Sequence, residues 1–319
     1  MVRRQLRAAP IVLGVVLAMS SCGPNDKPRS SGSPEAGQRA ATEVATTLYP
    51  IAWMVEQIGG ERVSVTNLTP PGVEPHDLEL APDQVDALTD ADVVVVMGHS
   101  FQPGPERIAA KRSKPTVLLL DAVSTGEGLV KEHNEGETGH DQSHGPDPHV
   151  WLDPRMFSTA RDEIVRTLIK VDPSGAADFA RRSDELGLAL ADLDSSMEAG
   201  LKTCTRRTIV TAHEAFGRLA SRYGLTQEGV AGLSPDAEPD PQRIADLADL
   251  VKKQGLTTVF FEELAPQKFA DTLAREAGVK TAMLSPIEAP TPGELVAGAS
   301  YLTIMQTNLE RLRAALDCR

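Results

Sequence analysis

The chain has 319 residues, 41% of them hydrophobic and 4% aromatic, and carries a formal charge of −13 at pH 7. That length suffices for two domains. The acidic balance argues against nucleic acid or an anionic lipid surface as a partner.

At the start, Arg3, Arg4 and Arg7 precede an apolar stretch from Ala8 to Met19, and Ser20 and Ser21 lead into Cys22. This has the form of a secretory signal over residues 1–21, too short for a membrane span of roughly 20 apolar residues. A cysteine directly after small residues resembles the bacterial lipobox, in which the thiol is lipidated and becomes the mature N-terminus. Met19 departs from it, because Leu is usual there. The alternative is an ordinary cleaved signal with an incidental Cys22. Residues 22–41, rich in Pro, Gly, Ser and charge, cannot bury a core and are expected to form a lipidated, flexible tether. The expected location is therefore the outer face of the cell membrane.

From residue 42 the pattern alternates between strand and helix. Val44–Leu48 reads as a strand, and Tyr49–Gly59 as a helix with Ile51, Met54, Val55 and Ile58 on one face. A strand over Arg62–Leu68 and a helix over Pro82–Ala91 follow. Val93–Met97 and Thr116–Leu120 are continuous apolar runs, as expected of strands buried on both faces of a parallel sheet. These elements define an N-terminal α/β lobe over 42–172, which includes an acidic, histidine-containing loop at 131–146.

Phe179, Leu186, Leu190, Leu193, Met197 and Leu201 then recur at helical spacing with no proline between Ser174 and Leu201. The spacing predicts one long helix within 173–203, with Ser174 as its N-cap. A helix of that length would form a stiff rod of about 40 Å between two lobes. The C-terminal part, 204–319, repeats the alternation. Strands are expected at Thr208–Ala212, Thr226–Leu233, Thr257–Phe261 and Lys280–Leu284. Helices are expected at Glu214–Tyr223, Pro241–Gln254, Pro266–Ala277 and from Pro292 to about Leu316. The fold class is α/β: two lobes with central parallel sheets, joined by one long helix.

Besides Cys22 there are only Cys204 and Cys318. In an exported chain they suggest one disulfide, with two buried free thiols as the alternative.

Of seven histidines, three stand in separate, chemically loaded segments: His76 in GVEPHDLEL, His149 in DPHVWLDP and His213 in VTAHEAFG. Neutral imidazole is a common metal ligand, and three of them favour zinc over magnesium or calcium. His76 lies in a Pro-rich turn after a strand, where α/β sheets bind ligands. His149 has Asp147 and Asp153 at hand to orient its second ring nitrogen, and Pro154 starts the next helix. His213 ends a strand and is followed by Glu214, half of a His-Glu-x-x-His motif. The second histidine is missing, since position 217 is Gly217, and that counts against a metalloprotease. His133, His140 and His144 share the acidic loop. They are either an auxiliary zinc-capture group or fortuitous residues of a solvated segment. His99 follows a buried strand and is expected to cap a loop.

In this order, the segments PPGVEPHDLELAPDQV, DPHVWLDP, IVTAHEAFG and TVFFEELAP resemble the metal-binding solute-receptor family of bacterial zinc and manganese ABC importers. The resemblance runs from about Thr42 to Cys318. It implies two α/β lobes with metal held in the cleft between them, and it maps three ligands onto His76, His149 and His213. It also implies a monomeric receptor, not an enzyme, that serves an ABC permease and ATPase. A third imidazole at position 213, where manganese-type members tend to carry a carboxylate, points to Zn2+, with Mn2+ the alternative. One departure concerns the fourth ligand. The family usually offers a carboxylate or amide just before a proline in the C-terminal lobe, and here Ser285 precedes Pro286. Water, a loop residue, Glu74 or Glu263 are the substitutes, so the expectation is three imidazoles with an open position. An open zinc could also activate water in a metalloenzyme, but no general base is fixed by spacing. A zinc-storage or adhesin lipoprotein without a permease is a third reading.

Overall fold

The structure is a computed structural model and describes residues 40–124, 146–235 and 239–319. The expected signal, Cys22, nearly all of the tether and His133, His140 and His144 lie outside the described residues.

The first lobe runs β1 (Thr42–Thr46), α1 (Tyr49–Gly59), β2 (Val63–Asn67), α2 (Pro82–Asp90), β3 (Val93–Val96), α3 (Pro103–Ala109), β4 (Thr116–Leu118), α4 (Leu119–Ser124) and α5 (Pro154–Val171). Its four strands form one parallel sheet in the order β2-β1-β3-β4. The valines of β3 explain why that run lacks alternation. Val93 and Val95 enter the main core with α1 and α5, while Val94 and Val96 face a second core with Leu68 and Leu88. Asp153 caps α5, its Oδ1 accepting from the N–H of Arg155 at 2.8 Å and of Met156 at 3.3 Å.

The long helix α6 (Ala176–Leu201) buries Phe179, Leu186, Leu190, Leu193, Met197 and Leu201, the face that the spacing predicts. Ser174 is not its cap. The residue before the helix is Gly175, and Asp172 instead caps the 3-10 turn over Pro173–Gly175 that leads into it, accepting from the Ser174 N–H at 3.2 Å and its hydroxyl at 2.6 Å.

The second lobe comprises β5 (Thr208–Thr211), α7 (Gly217–Tyr223), β6 (Thr226–Gly229), α8 (Pro241–Lys253), β7 (Thr258–Phe261), α9 (Gln267–Ala277), β8 (Lys280–Met283), α10 (Pro292–Val296) and α11 (Tyr301–Leu316). The pairs β5-β6 and β7-β8 are parallel, and β5 lies alongside β7. The single final helix expected from Pro292 is two helices. Gly298, at φ +84°, ends the first, and the Ser300 hydroxyl caps the second by accepting from the Thr303 N–H at 3.3 Å. Helix α7 starts three residues later than expected, because residues 213–216 form the turn that carries His213.

The long helix is no isolated rod. It packs on α1 and α5 of the first lobe and on α7 and α11 of the second. One apolar core runs through all of them, from Val44 to Leu316. Cys204 and Cys318 form the expected disulfide and pin the chain end beside the start of the second lobe. Among the described residues no helix is long and apolar enough to cross a membrane.

Candidate metal centre

Four segments converge at the ends of the strands. The turn after β2 carries His76, and the buried Gln102 pins it from below. The Gln102 amide donates to the Pro75 carbonyl at 2.9 Å and to the Thr47 carbonyl at 3.1 Å. The Glu74 carboxylate accepts from the His76 N–H at 2.8 Å, and the His76 ring meets Phe101 edge-on.

Just ahead of α5, His149 is fixed twice by Asp147, whose Oδ1 accepts from its backbone N–H at 3.0 Å and its Nδ1 at 2.8 Å. Asp153, the other expected orienting group, is committed to capping α5 instead. Trp151 stands edge-on to the His149 ring.

After β5, the His213 carbonyl accepts from the Thr211 hydroxyl at 2.7 Å and the Gln227 amide at 2.9 Å. Its N–H donates to Glu262 Oε1 at 3.1 Å, and its Nδ1 abuts Glu262 Oε2.

The fourth segment follows β8 and carries Glu288. Asn308 of α11 holds the Ser285 backbone at both its N–H (3.0 Å) and its carbonyl (2.7 Å). The Ser285 hydroxyl accepts from the Ile287 N–H at 3.2 Å. Ile287 adopts φ +63°, a conformation that a β-branched residue takes only under constraint. That turn aims Glu288 at the three histidines. A carboxylate thus stands beside the three imidazoles, three residues beyond Ser285, where the sequence alone left the fourth position open. Of the two carboxylates weighed from sequence, Glu74 stands 3.9 Å from His76 Nε2, and Glu263 is not among the converging groups.

Glu288 Oε1 lies 3.2 Å from the Nε2 of His76, 3.2 Å from that of His149 and 3.7 Å from that of His213. One ligand atom from each of the four residues falls within 4.8 Å of all the others. Ring centroids stand 5.4 to 5.9 Å apart. His149, His213 and Glu288 are at most 2% exposed.

In spite of these short distances, Nε2 of His149 and both ring nitrogens of His213 are not aligned for a hydrogen bond. Buried polar atoms without such a partner are costly, and here the Nε2 atoms of His149 and His213 both face Glu288 Oε1 while His213 Nδ1 faces Glu262. Burial alone would lower the His213 pKa, but the carboxylates of Glu262 and Glu288 outweigh it and hold the imidazole well above 6.5. At His149 the same penalty is outweighed by Asp147 and Glu288. Burial would raise the Glu288 carboxyl, yet the three imidazoles carry it well below 4.5.

A cavity of about 240 Å³, lined by His76, Asp77, His99, Phe101, Pro148 and Leu233 among others, opens beside His76. His99, which is not among the converging groups, pairs through Nε2 with Asp121 Oδ1 at 2.7 Å on the exposed rim.

Known proteins resemble this chain in sequence and in fold. The family model described as ZnuA, zinc-uptake complex component A periplasmic, matches residues 44–315. The zinc-binding protein AdcA of Streptococcus pyogenes serotype M3 is 36% identical over 288 residues, covering 86% of this chain and 56% of the relative. The chain thus spans about half the length of those streptococcal relatives. The high-affinity zinc uptake system protein ZnuA of Bacillus subtilis is 33% identical over 310 residues, covering 96% of both. The crystal structure of the Zn(II)-bound ZnuA-like domain of Streptococcus pneumoniae AdcA superposes with a TM-score of 0.72 at 33% identity, covering 87% of this chain and 99% of that one. On the extent of the family match and of these identities, the chain belongs to the zinc-uptake complex component A family.

Proposed function

We propose that this protein is an extracytoplasmic zinc receptor that delivers Zn2+ to an ABC importer, with His76, His149, His213 and Glu288 as the ligands. The observation that carries the reading is the buried quartet itself. Three imidazoles and one carboxylate make a four-donor nitrogen and oxygen set, the number and chemistry of a closed tetrahedral zinc site. With no ligand position left for water, the set suits retention better than hydrolysis. Zinc binding by the relatives supports the choice of metal.

Export and anchoring through Cys22 fit this role, as does docking of the metal-loaded lobes on a permease. The division into lobes at 42–172 and 204–319 about a helix within 173–203 is part of the same reading. So is a monomeric state, with His133, His140 and His144 as an auxiliary capture loop.

Calorimetry on the purified domain tests the assignment. One equivalent of zinc should bind far more tightly than manganese, and equal or weaker affinity for zinc would overturn it. Deleting residues 131–146 should leave that tight event intact.

A further inference from the structure

Asp147 does more than orient His149: it is itself held from the other lobe. Its backbone carbonyl accepts from Nε and Nη2 of Arg218, on α7, at 3.3 and 3.0 Å, and its Oδ2 lies 3.5 Å from the same guanidinium. The other carboxylate oxygen, Oδ1, is the one that accepts from His149. The two lobes meet in this residue, one gripping each side. Gly217 makes the approach possible, because a Cβ there would stand 2.9 Å from Asp147 Oδ2. The position at which a zincin would place its second histidine is thus kept empty for Asp147.

We infer that Arg218 is a positioning residue for the metal centre, acting from the second lobe through Asp147 to fix the direction in which His149 presents Nε2. The inference rests on the zinc-receptor reading for its consequence and on the geometry for its mechanism. His149 Nε2 has no hydrogen bond of its own, so the ring is steered from the Nδ1 side, by Asp147. Removing Arg218 frees both the carbonyl and one oxygen of the group that steers it. Lysine offers a point charge where arginine offers a planar fork, so it can replace only part of this grip. The loss should appear mainly as faster metal release.

The test compares zinc affinity, by chelator competition, in the wild type, Arg218→Gln, Arg218→Lys, Asp147→Asn and the Gln/Asn double variant. Outer-shell partners of metal-bound histidines typically contribute about 10- to 100-fold in affinity. Arg218→Gln should weaken zinc binding by about 10-fold, Arg218→Lys should recover part of that, and the double variant should bind no worse than Asp147→Asn alone. Additive losses in the double variant, or an unchanged affinity in Arg218→Gln, overturn the inference.

Arg222, one turn further along α7, bonds Asp194 of α6 at 2.8 Å and is remote from Asp147 in this network. Arg222→Gln is the control: it should lower thermal stability and leave zinc affinity unchanged, which separates positioning from general loosening. A second readout needs no metal. The nitrogen-bound proton of His149 Nδ1 should give a protected downfield NMR signal in the metal-free wild type that shifts or exchanges away in Arg218→Gln. An unaltered signal overturns the inference. Failure of the wild type to bind zinc would defeat the receptor reading instead, and the imidazole spectrum would still decide the role of Arg218.

Discussion

Trp151 donates its indole N–H to the carbonyl of Pro286 at 2.6 Å. This ties the segment that carries His149 to the turn that carries Glu288, across the two lobes. The Trp151 carbonyl in turn accepts from the Tyr301 hydroxyl at 2.6 Å, so the contact is braced from α11 as well. Trp151 is fully buried. Trp151→Phe keeps an aromatic ring but leaves the Pro286 carbonyl without its donor. The expected cost is about 1–3 kcal/mol of stability for an unsatisfied buried acceptor, plus the smaller ring's lost packing. Denaturant unfolding should show it as a lower midpoint at unchanged slope, and an unchanged midpoint would contradict the bracing role.

Glu288 contributes the only carboxylate of the quartet. Glu288→Gln keeps the shape and removes the charge and the better oxygen donor. Zinc affinity should fall by more than the roughly 10- to 100-fold typical of outer-shell partners. Glu263→Gln is the contrasting variant. Burial raises the Glu263 carboxyl, the Ser285 hydroxyl only partly offsets this, and the group is not among the converging four. Its amide should bind zinc like the wild type. Equal losses in the two variants would show that Glu288 is not a ligand.

The contrast between these two glutamates shows where the sequence stops being legible. The valine run of β3, the helix over Tyr49–Gly59 and the apolar stripe of α6 are local patterns, and burial follows them closely. The three histidines were readable as a group because each stands in a distinctive segment next to a strand or helix end. Glu262 and Glu263 are neighbours just past β7, where successive side chains diverge. Only packing decides that Glu262 reaches His213. Glu288 was hidden for a different reason. Its direction depends on the left-handed Ile287, held locally by Ser285 and braced from distant parts of the chain by Asn308 and Trp151. The break between α10 and α11 did have a local signal, a glycine followed two residues later by a capping serine, which a continuous apolar periodicity masked.

Proton linkage gives the centre a definite pH signature. His149 and His213 titrate above 6.5 in the metal-free fold, so they hold protons that a metal must displace. Zinc affinity should therefore climb as pH rises through the folded-state values of these two imidazoles. The stability of the metal-free protein follows the opposite sign for them. Their raised values contribute stability that is fully present below 6.5 and is lost as pH rises through the folded values. Glu288, held well below 4.5, contributes stability that is present above 4.5 and is lost as pH falls through its folded value. Metal-free stability should thus peak on the acidic side of neutrality, while zinc should stabilise most on the alkaline side. Calorimetry in buffers of different ionisation enthalpy should find protons released on zinc binding at pH 7, and no release would contradict the assignment.

The disulfide joins residues 114 apart in sequence, and it lies where the chain end pairs with the start of the second lobe. The neighbouring backbone bonds from Thr205 N–H to the Asp317 carbonyl (3.2 Å) and from Arg206 N–H to the Leu316 carbonyl (3.0 Å) hold the same junction. Closing so long a loop restricts the unfolded chain more than the folded one, a contribution of about 3–5 kcal/mol in the chain-entropy model. The Cys204→Ser/Cys318→Ser double variant should therefore unfold at a clearly lower temperature. Of the four converging residues His213 comes nearest in sequence, nine residues beyond Cys204 and past the far end of β5, and the junction stays hydrogen-bonded without the bridge. Well below its unfolding temperature the variant should bind zinc as tightly as the wild type. A loss of affinity under those conditions would mean that the bridge holds the lobes in register, beyond its effect on the unfolded chain.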